Sequence, residues 1–294
     1  MQQKPDPAYL TSRLRKYDRE KISQGQYATV RYLETTPFCW MCTRSTDQSM
    51  PTKEHIFPQW SFKYFEKEQL RFEPWRFSVR EGVAADRRGP MPAQTLVESR
   101  VCNVCNNGWM SLLEAAVESL IFGQDRNLDE RQVELISRWF AKTSAVLNVS
   151  QTAPLKWKAE DRHRIARGMP SNVRVSVFRV PQSDLNWVQG LPFGCLFPND
   201  FDARLSHGLG GMVHICSIQI RDIVGLVVKL PWQLAHVEVE LSGVPIWTGA
   251  RPMSANLDDL PLEKDMFSAS VSGAWRDSPL FGRPTTASID FFQT

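Results

Sequence analysis

The chain has no run of about 18 residues free of charges and helix breakers, so the sequence predicts no membrane-spanning helix. It has no apolar stretch near its start: MQQKPDPAYLTSRLRKYDREK lacks the hydrophobic centre of an export signal, and a cytoplasmic location is expected. No internal repeat and no low-complexity tract interrupts the 294 residues. There is little excess of one charge, since 35 Lys and Arg against 32 Asp and Glu leave a net +3, too small by itself to argue for a polyanionic partner. What is present is an ordinary globular balance, 42% hydrophobic and 23% charged, which excludes wholesale disorder. At roughly 100–200 residues per domain, two domains is the natural reading.

The charge is unevenly placed. Residues 1–180 carry 28 Lys and Arg against 20 Asp and Glu, a net +8, and residues 181–294 carry 7 against 12, a net −5. Contact with a polyanion therefore falls to the first 180 residues. Uneven surface charge with no partner gives the same count.

Four of the six cysteines form two CxxC pairs, Cys39/Cys42 and Cys102/Cys105, whereas Cys195 and Cys216 stand singly among apolar residues. In a reducing compartment paired CxxC points to metal rather than to disulfide. Four thiolates in two such knuckles match a tetrahedral structural Zn²⁺ site, with sulfurs expected about 3.5–4 Å apart. The alternative is four unligated core thiols. The 59 residues between the knuckles are a long loop, but each knuckle binds locally and loop closure grows only slowly with length.

The coarse pattern is helical in the middle and strand-rich later. A short helix is expected around Tyr9–Ser23. Met110, Leu113, Val117 and Leu120 recur at spacings of three and four and predict a helix from Asn107 to Gly123. A second helix is expected from Glu130 to about Asn148, with Asp129 as N-cap, Gln132 three residues on, and Val133, Ile136, Phe140, Ser144 and Leu147 as its buried stripe. A short basic helix is expected over 159–167. Strands are expected at 173–177, 186–197, 212–220, 223–230 and 236–247, with Arg221-Asp222 as a tight hairpin turn. Residues 59–98 show no clean period, and the tail from about 250 reads as irregular. The fold class is therefore α+β.

Three further elements carry chemistry. Glu54-His55 sits in the run Thr52-Lys53-Glu54-His55-Ile56-Phe57-Pro58, ten residues after Cys42. A carboxylate beside a histidine, entering an apolar strand-like run, can present both side chains to one site at a bend. Asn106 follows the second knuckle directly, at a helix start, and Asn103 and Asn107 flank it closely enough to substitute. Lys53 and Arg100 border these motifs as candidate phosphate contacts, with a solvated-surface role the alternative. The basic run Arg162-His163-Arg164 with Arg167 is either a phosphate-contacting face or a solvated helix face.

The ordered set C-x2-C, (D/E)-H-I-x-P, C-x2-C-(N/H) resembles the HNH endonucleases, and CNNGWMSLLE looks like a variant shared by bacterial HNH-type proteins. The resemblance spans about residues 36–123. It implies a ββα-metal domain braced by zinc at the four cysteines, and a nuclease, a hydrolase of DNA phosphodiester bonds, with RNA as the other possible substrate. It implies His55 as general base, and Glu54 and Asn106 as ligands of a catalytic divalent ion. Oxygen ligands of that kind suit Mg²⁺ or Mn²⁺. The implied layout is an arm at 1–38, the HNH-like domain at 39–123, a helical connector at 124–170 and a β-rich domain at 171–294. Two positions depart from the family pattern. No asparagine stands in Leu96–Val101, where the family carries the residue that orients the histidine, and Met110 stands where a second histidine follows. Glu98 or another acceptor is left to orient His55. The rival reading is a non-catalytic zinc-finger module that binds nucleic acid or protein on the same scaffold.

Overall fold

In the computed structural model the described residues are 39–43, 51–63, 71–72, 75–79, 83–87, 91–92, 97–150, 157–181, 213–235 and 241–263. The helix expected at 9–23, the strand at 186–197, His207, His236 and Cys195 lie outside them. The chain is α+β and forms two compact units. Unit 1 comprises residues 1–118 and 145–168, and unit 2 comprises 119–144 and 169–294. Residues 124–170 are thus shared between the two units.

Unit 1 is built on nested antiparallel pairs. Strand β1 (Pro51–His55) pairs with β6 (Val97–Cys102). Between them in sequence β2 (Arg71–Phe72) pairs with β5 (Met91–Pro92), and β3 (Trp75–Val79) with β4 (Val83–Arg87). The β1–β6 register shifts between Thr52 and Lys53, whose partners are Val101 and Ser99, so Arg100 is the extra residue of a bulge. The chain leaves β6 at Cys102 and turns into a π-helical segment, Cys105–Met110, that continues as helix α1 (Ser111–Phe122). Gly108 leaves the helical region inside that segment, at φ −97° and ψ −114°. Met110, Leu113 and Val117 are buried as their spacing predicts. Leu120 is only half-buried, and Ile121 continues the buried stripe instead.

Helix α2 (Glu130–Ser150) begins at a capping box. The Gln132 amide N–H donates to the Asp129 carboxylate at 2.8 Å, and the Asp129 N–H donates to the Gln132 side chain at 2.9 Å. All five residues of its expected stripe are buried. Helix α3 (Ala159–Ile165) belongs to unit 1.

In unit 2 a short strand, β7 (Asn127–Leu128), pairs with β12 (Ala255–Asn256), and the core is a four-stranded antiparallel sheet in the order β11-β8-β10-β9, made of β8 (Val173–Arg179), β9 (His214–Ile220), β10 (Ile223–Lys229) and β11 (Val244–Trp247). Strands β9 and β10 are buried along their whole length, which continuous runs such as IVGLVVK favour over alternation. Their turn is the two-residue Arg221-Asp222 connection, with Arg221 at φ 55°. Gly225 lets α2 approach closely: a Cβ there would stand 2.4 Å from the Phe140 ring. Arg126 and Arg179 both reach Asp222, at 3.4 and 2.9 Å, and tie the hairpin turn to β8. No described helix is long and apolar enough to cross a membrane.

Candidate metal centre and the Glu54-His55 strand

The first knuckle is a tight turn. The Thr43 N–H donates to the Cys39 carbonyl at 2.7 Å, and Thr43 takes φ 57°. This turn brings the Cys42 N–H within 3.5 Å of the Cys39 Sγ, while the Cys102 N–H donates to the same sulfur at 3.2 Å. The second knuckle follows from the end of β6 entering the π-helical segment. All four Sγ atoms lie within 4.8 Å of one another, and Cys42 and Cys102 are 3.7 Å apart, sulfur to sulfur.

These distances exclude a disulfide, whose S–S bond is about 2.05 Å. They match the separation of about 3.8 Å between sulfurs on a tetrahedral zinc with bonds of about 2.3 Å. Hydrogen bonds from the Cys105 and Cys42 thiols drive Cys39 far below the ordinary thiol range, and Cys105, bonded to Cys39 and buried, is driven far above it. Cys39, Cys102 and Cys105 are nearly inaccessible to solvent. Buried sulfurs, backbone N–H groups aimed at one of them and four convergent soft donors form a set that can hold a metal ion such as zinc. Among the described residues this is the group of three or more Cys, His, Asp or Glu whose ligand atoms come together.

The other expected site residues cluster along β1. Glu54 is 3% exposed, and its register partner on β6 is Glu98. His55 is the last residue of β1 and is half-buried, opposite Val97. Asn106 separates itself from its neighbours. Its side-chain amide donates to Thr52 Oγ1 at 2.9 Å, and the Thr52 hydroxyl donates in turn to the Val101 carbonyl at 2.8 Å. Asn107 instead bonds Asn103, and both are exposed. Of the three asparagines, therefore, Asn106 returns to β1. Alternate residues of a strand share a face, so Thr52, which holds Asn106, lies on the face that carries Glu54. The side chains of Lys53, Glu98 and Arg100 lie outside the described residues.

Two contacts were not foreseen in the sequence. The Gln59 side-chain nitrogen Nε2 lies 3.4 Å from His55 Nδ1. Helix α3 returns to the first knuckle: the Arg162 guanidinium stacks 4.6 Å from the centre of the Trp40 ring, and Thr43 Oγ1 lies 3.5 Å from His163 Nε2. Arg162 is buried and donates to the Trp157 carbonyl at 2.5 Å, whereas His163, Arg164 and Arg167 are exposed. The i+4 spacing of His55 and Gln59 was visible in the sequence; the return of α3 across more than a hundred residues was not.

Comparison with known proteins finds no matching family model, no matching curated protein and no matching solved structure.

Proposed function

We propose that this protein is a metal-dependent phosphodiesterase of the HNH type that cleaves DNA. The observation that carries this reading is the hydrogen bond from Asn106 to Thr52. It ties the start of the helix after the second knuckle to the face of β1 that bears buried Glu54, one residue from His55. In this reading the four cysteines hold a structural zinc and fix the strand–helix junction.

Glu54 and Asn106 hold a catalytic Mg²⁺ or Mn²⁺, which when bound stabilises charge on the phosphate and the departing oxygen. His55 takes the proton from the attacking water as general base. The exposed Arg164 and Arg167, on the helix that meets the first knuckle through Arg162 and His163, offer positive charge to the phosphate backbone.

The test is cleavage of a DNA duplex by the full chain with Mg²⁺ or Mn²⁺, wild type beside Glu54→Ala. The wild type should cut, and Glu54→Ala should lose activity that is partly restored at higher divalent-ion concentration. A wild type that binds DNA with a steep salt dependence but cuts nothing would establish the non-catalytic binding module instead.

A further inference from the structure

We infer that unit 2 binds a phosphate group, free or carried on a small molecule, in a recess beside its Arg221-Asp222 turn. The recess has a volume of about 280 Å³ and is lined by Gly123, Arg126, Arg179, Arg221, Asp222 and Asp258, all of them in unit 2. Three guanidiniums stand with two carboxylates there, so one positive charge is in excess. The lining has no apolar side chain, which suits a small charged group rather than the apolar body that most ligand pockets enclose.

The three arginines differ in what they already hold. Arg126 is tied on three sides: Nη2 donates to Asp222 Oδ2 at 3.4 Å, Nε to Asp258 Oδ1 at 3.2 Å and Nη1 to the Ile121 carbonyl at 3.3 Å. Arg179 gives Nε to the same Asp222 oxygen at 2.9 Å and Nη1 to the Asp258 carbonyl at 3.2 Å. Arg221 has no carboxylate partner among the described residues. Its Nη1 reaches the Ile121 carbonyl at 3.5 Å, and its guanidinium stands 5.1 Å from the centre of the Phe122 ring. Nη2 of Arg179, with Nε and Nη2 of Arg221, therefore keeps N–H donors that have no acceptor among the described residues.

The frame around these donors is fixed by backbone bonds. The Val180 N–H donates to the Asp222 carbonyl at 2.9 Å, the Arg179 N–H to the Pro261 carbonyl at 2.8 Å and the Glu263 N–H to the Arg179 carbonyl at 2.8 Å. Arg221 takes φ 55° in a two-residue turn, where glycine is the favoured residue. Backbone strain of that kind concentrates at ligand sites. A phosphate offers three acceptor oxygens and can take a fork from Arg179 and from Arg221, whereas a carboxylate has only two. The net −5 of residues 181–294 disfavours a long polyanion, so the ligand is compact.

The experiment is calorimetric titration of the full chain with inorganic phosphate, glycerol 3-phosphate, acetate and a 5′-phosphorylated oligonucleotide, for wild type, Arg221→Gly and Arg221→Lys, with thermal melting of each protein. The readout involves no cleavage and is independent of the nuclease reading. Arg221→Gly removes the guanidinium and suits a positive φ, so the turn should keep its fold. Wild type should bind inorganic phosphate or glycerol 3-phosphate, and the tighter of the two identifies the source. Arg221→Gly should weaken that binding roughly 10-fold or more without a lower melting temperature, as the loss of hydrogen bonds to a charged group does. Arg221→Lys keeps the charge without the fork and should fall between. Equal affinity in Arg221→Gly and wild type, acetate bound as tightly as phosphate, or no binding of either phosphate probe overturns the assignment. Arg221-dependent binding of the oligonucleotide alone would give the recess to nucleic acid and overturns it as well.

Discussion

Unit 1 gathers four cysteines whose sulfurs lie within 4.8 Å of one another, whereas unit 2 buries Cys216 inside a strand with a thiol pushed up to about 12 by burial, against a weaker opposing hydrogen bond from Ser144. The same side chain is a ligand donor in one region and a small apolar filler in the other. The difference lies in what surrounds it. In unit 1 backbone N–H groups and neighbouring thiols stabilise thiolate. In unit 2 Cys216 is fully buried on β9, and its polar neighbour is Ser144, itself 3.0 Å from His214. Among the described residues the strand pairs of unit 1 are two to six residues long, and a bound metal can supply folding energy that a small core does not. Unit 2 has a four-stranded sheet with the Phe140 ring packed closely on Gly225 of β10.

That contrast can be broken from either side. The largest effect is expected from Cys102→Ser. Removing one ligand should forfeit much of a binding energy that is about 10–16 kcal/mol in zinc-dependent folds. Metal content should fall and unit 1 should become protease-sensitive, while hydrogen exchange in β8–β10 stays slow. Equal loss of protection in both units would show a single cooperative structure.

Phe140→Ala should act in the opposite sense. It empties the space that Gly225 leaves for the ring and should cost unit 2 about 3–5 kcal/mol in chemical denaturation, with metal content unchanged.

A smaller, pH-dependent effect should come from Cys216. Its folded pKa of about 12 lies above the ordinary thiol value of 9.0. Between those limits the folded state keeps a proton that the unfolded state has released. Stability contributed by the neutral thiol is therefore present below pH 9 and is lost as pH rises toward 12, by at most about 1.4 kcal/mol per pH unit. Denaturation of Cys216→Ala across this range should lack that part of the slope.

Much of this was legible in the sequence because its signals are local. The Asp129/Gln132 capping box, the stripe from Val133 to Leu147 and the Arg221-Asp222 turn are short-range patterns, and the structure contains each of them. The cysteine spacing pointed to the cluster because each knuckle is a few residues long. Nested pairing over 71–92 was not foreseen, although Trp75, Phe77 and Val79 alternate with Arg76 and Ser78; strands of two to five residues with mixed partners give too brief a period. The return of 145–168 to unit 1 has no local signal at all, since Arg162 on Trp40 is a contact across the chain. The contact of Gln59 Nε2 with His55 Nδ1 joins residues four apart, a spacing too common in a sequence to single out.

The central claim is a division of labour in which the cysteines hold the scaffold and His55 moves a proton. The direct measurement is nicking of supercoiled DNA by wild type and His55→Ala with Mg²⁺ or Mn²⁺, with zinc content and thermal melting recorded on the same samples. The account predicts unchanged zinc and melting, with a loss of roughly 10²–10⁴-fold in cleavage rate. Cleavage by His55→Ala at the wild-type rate would contradict it.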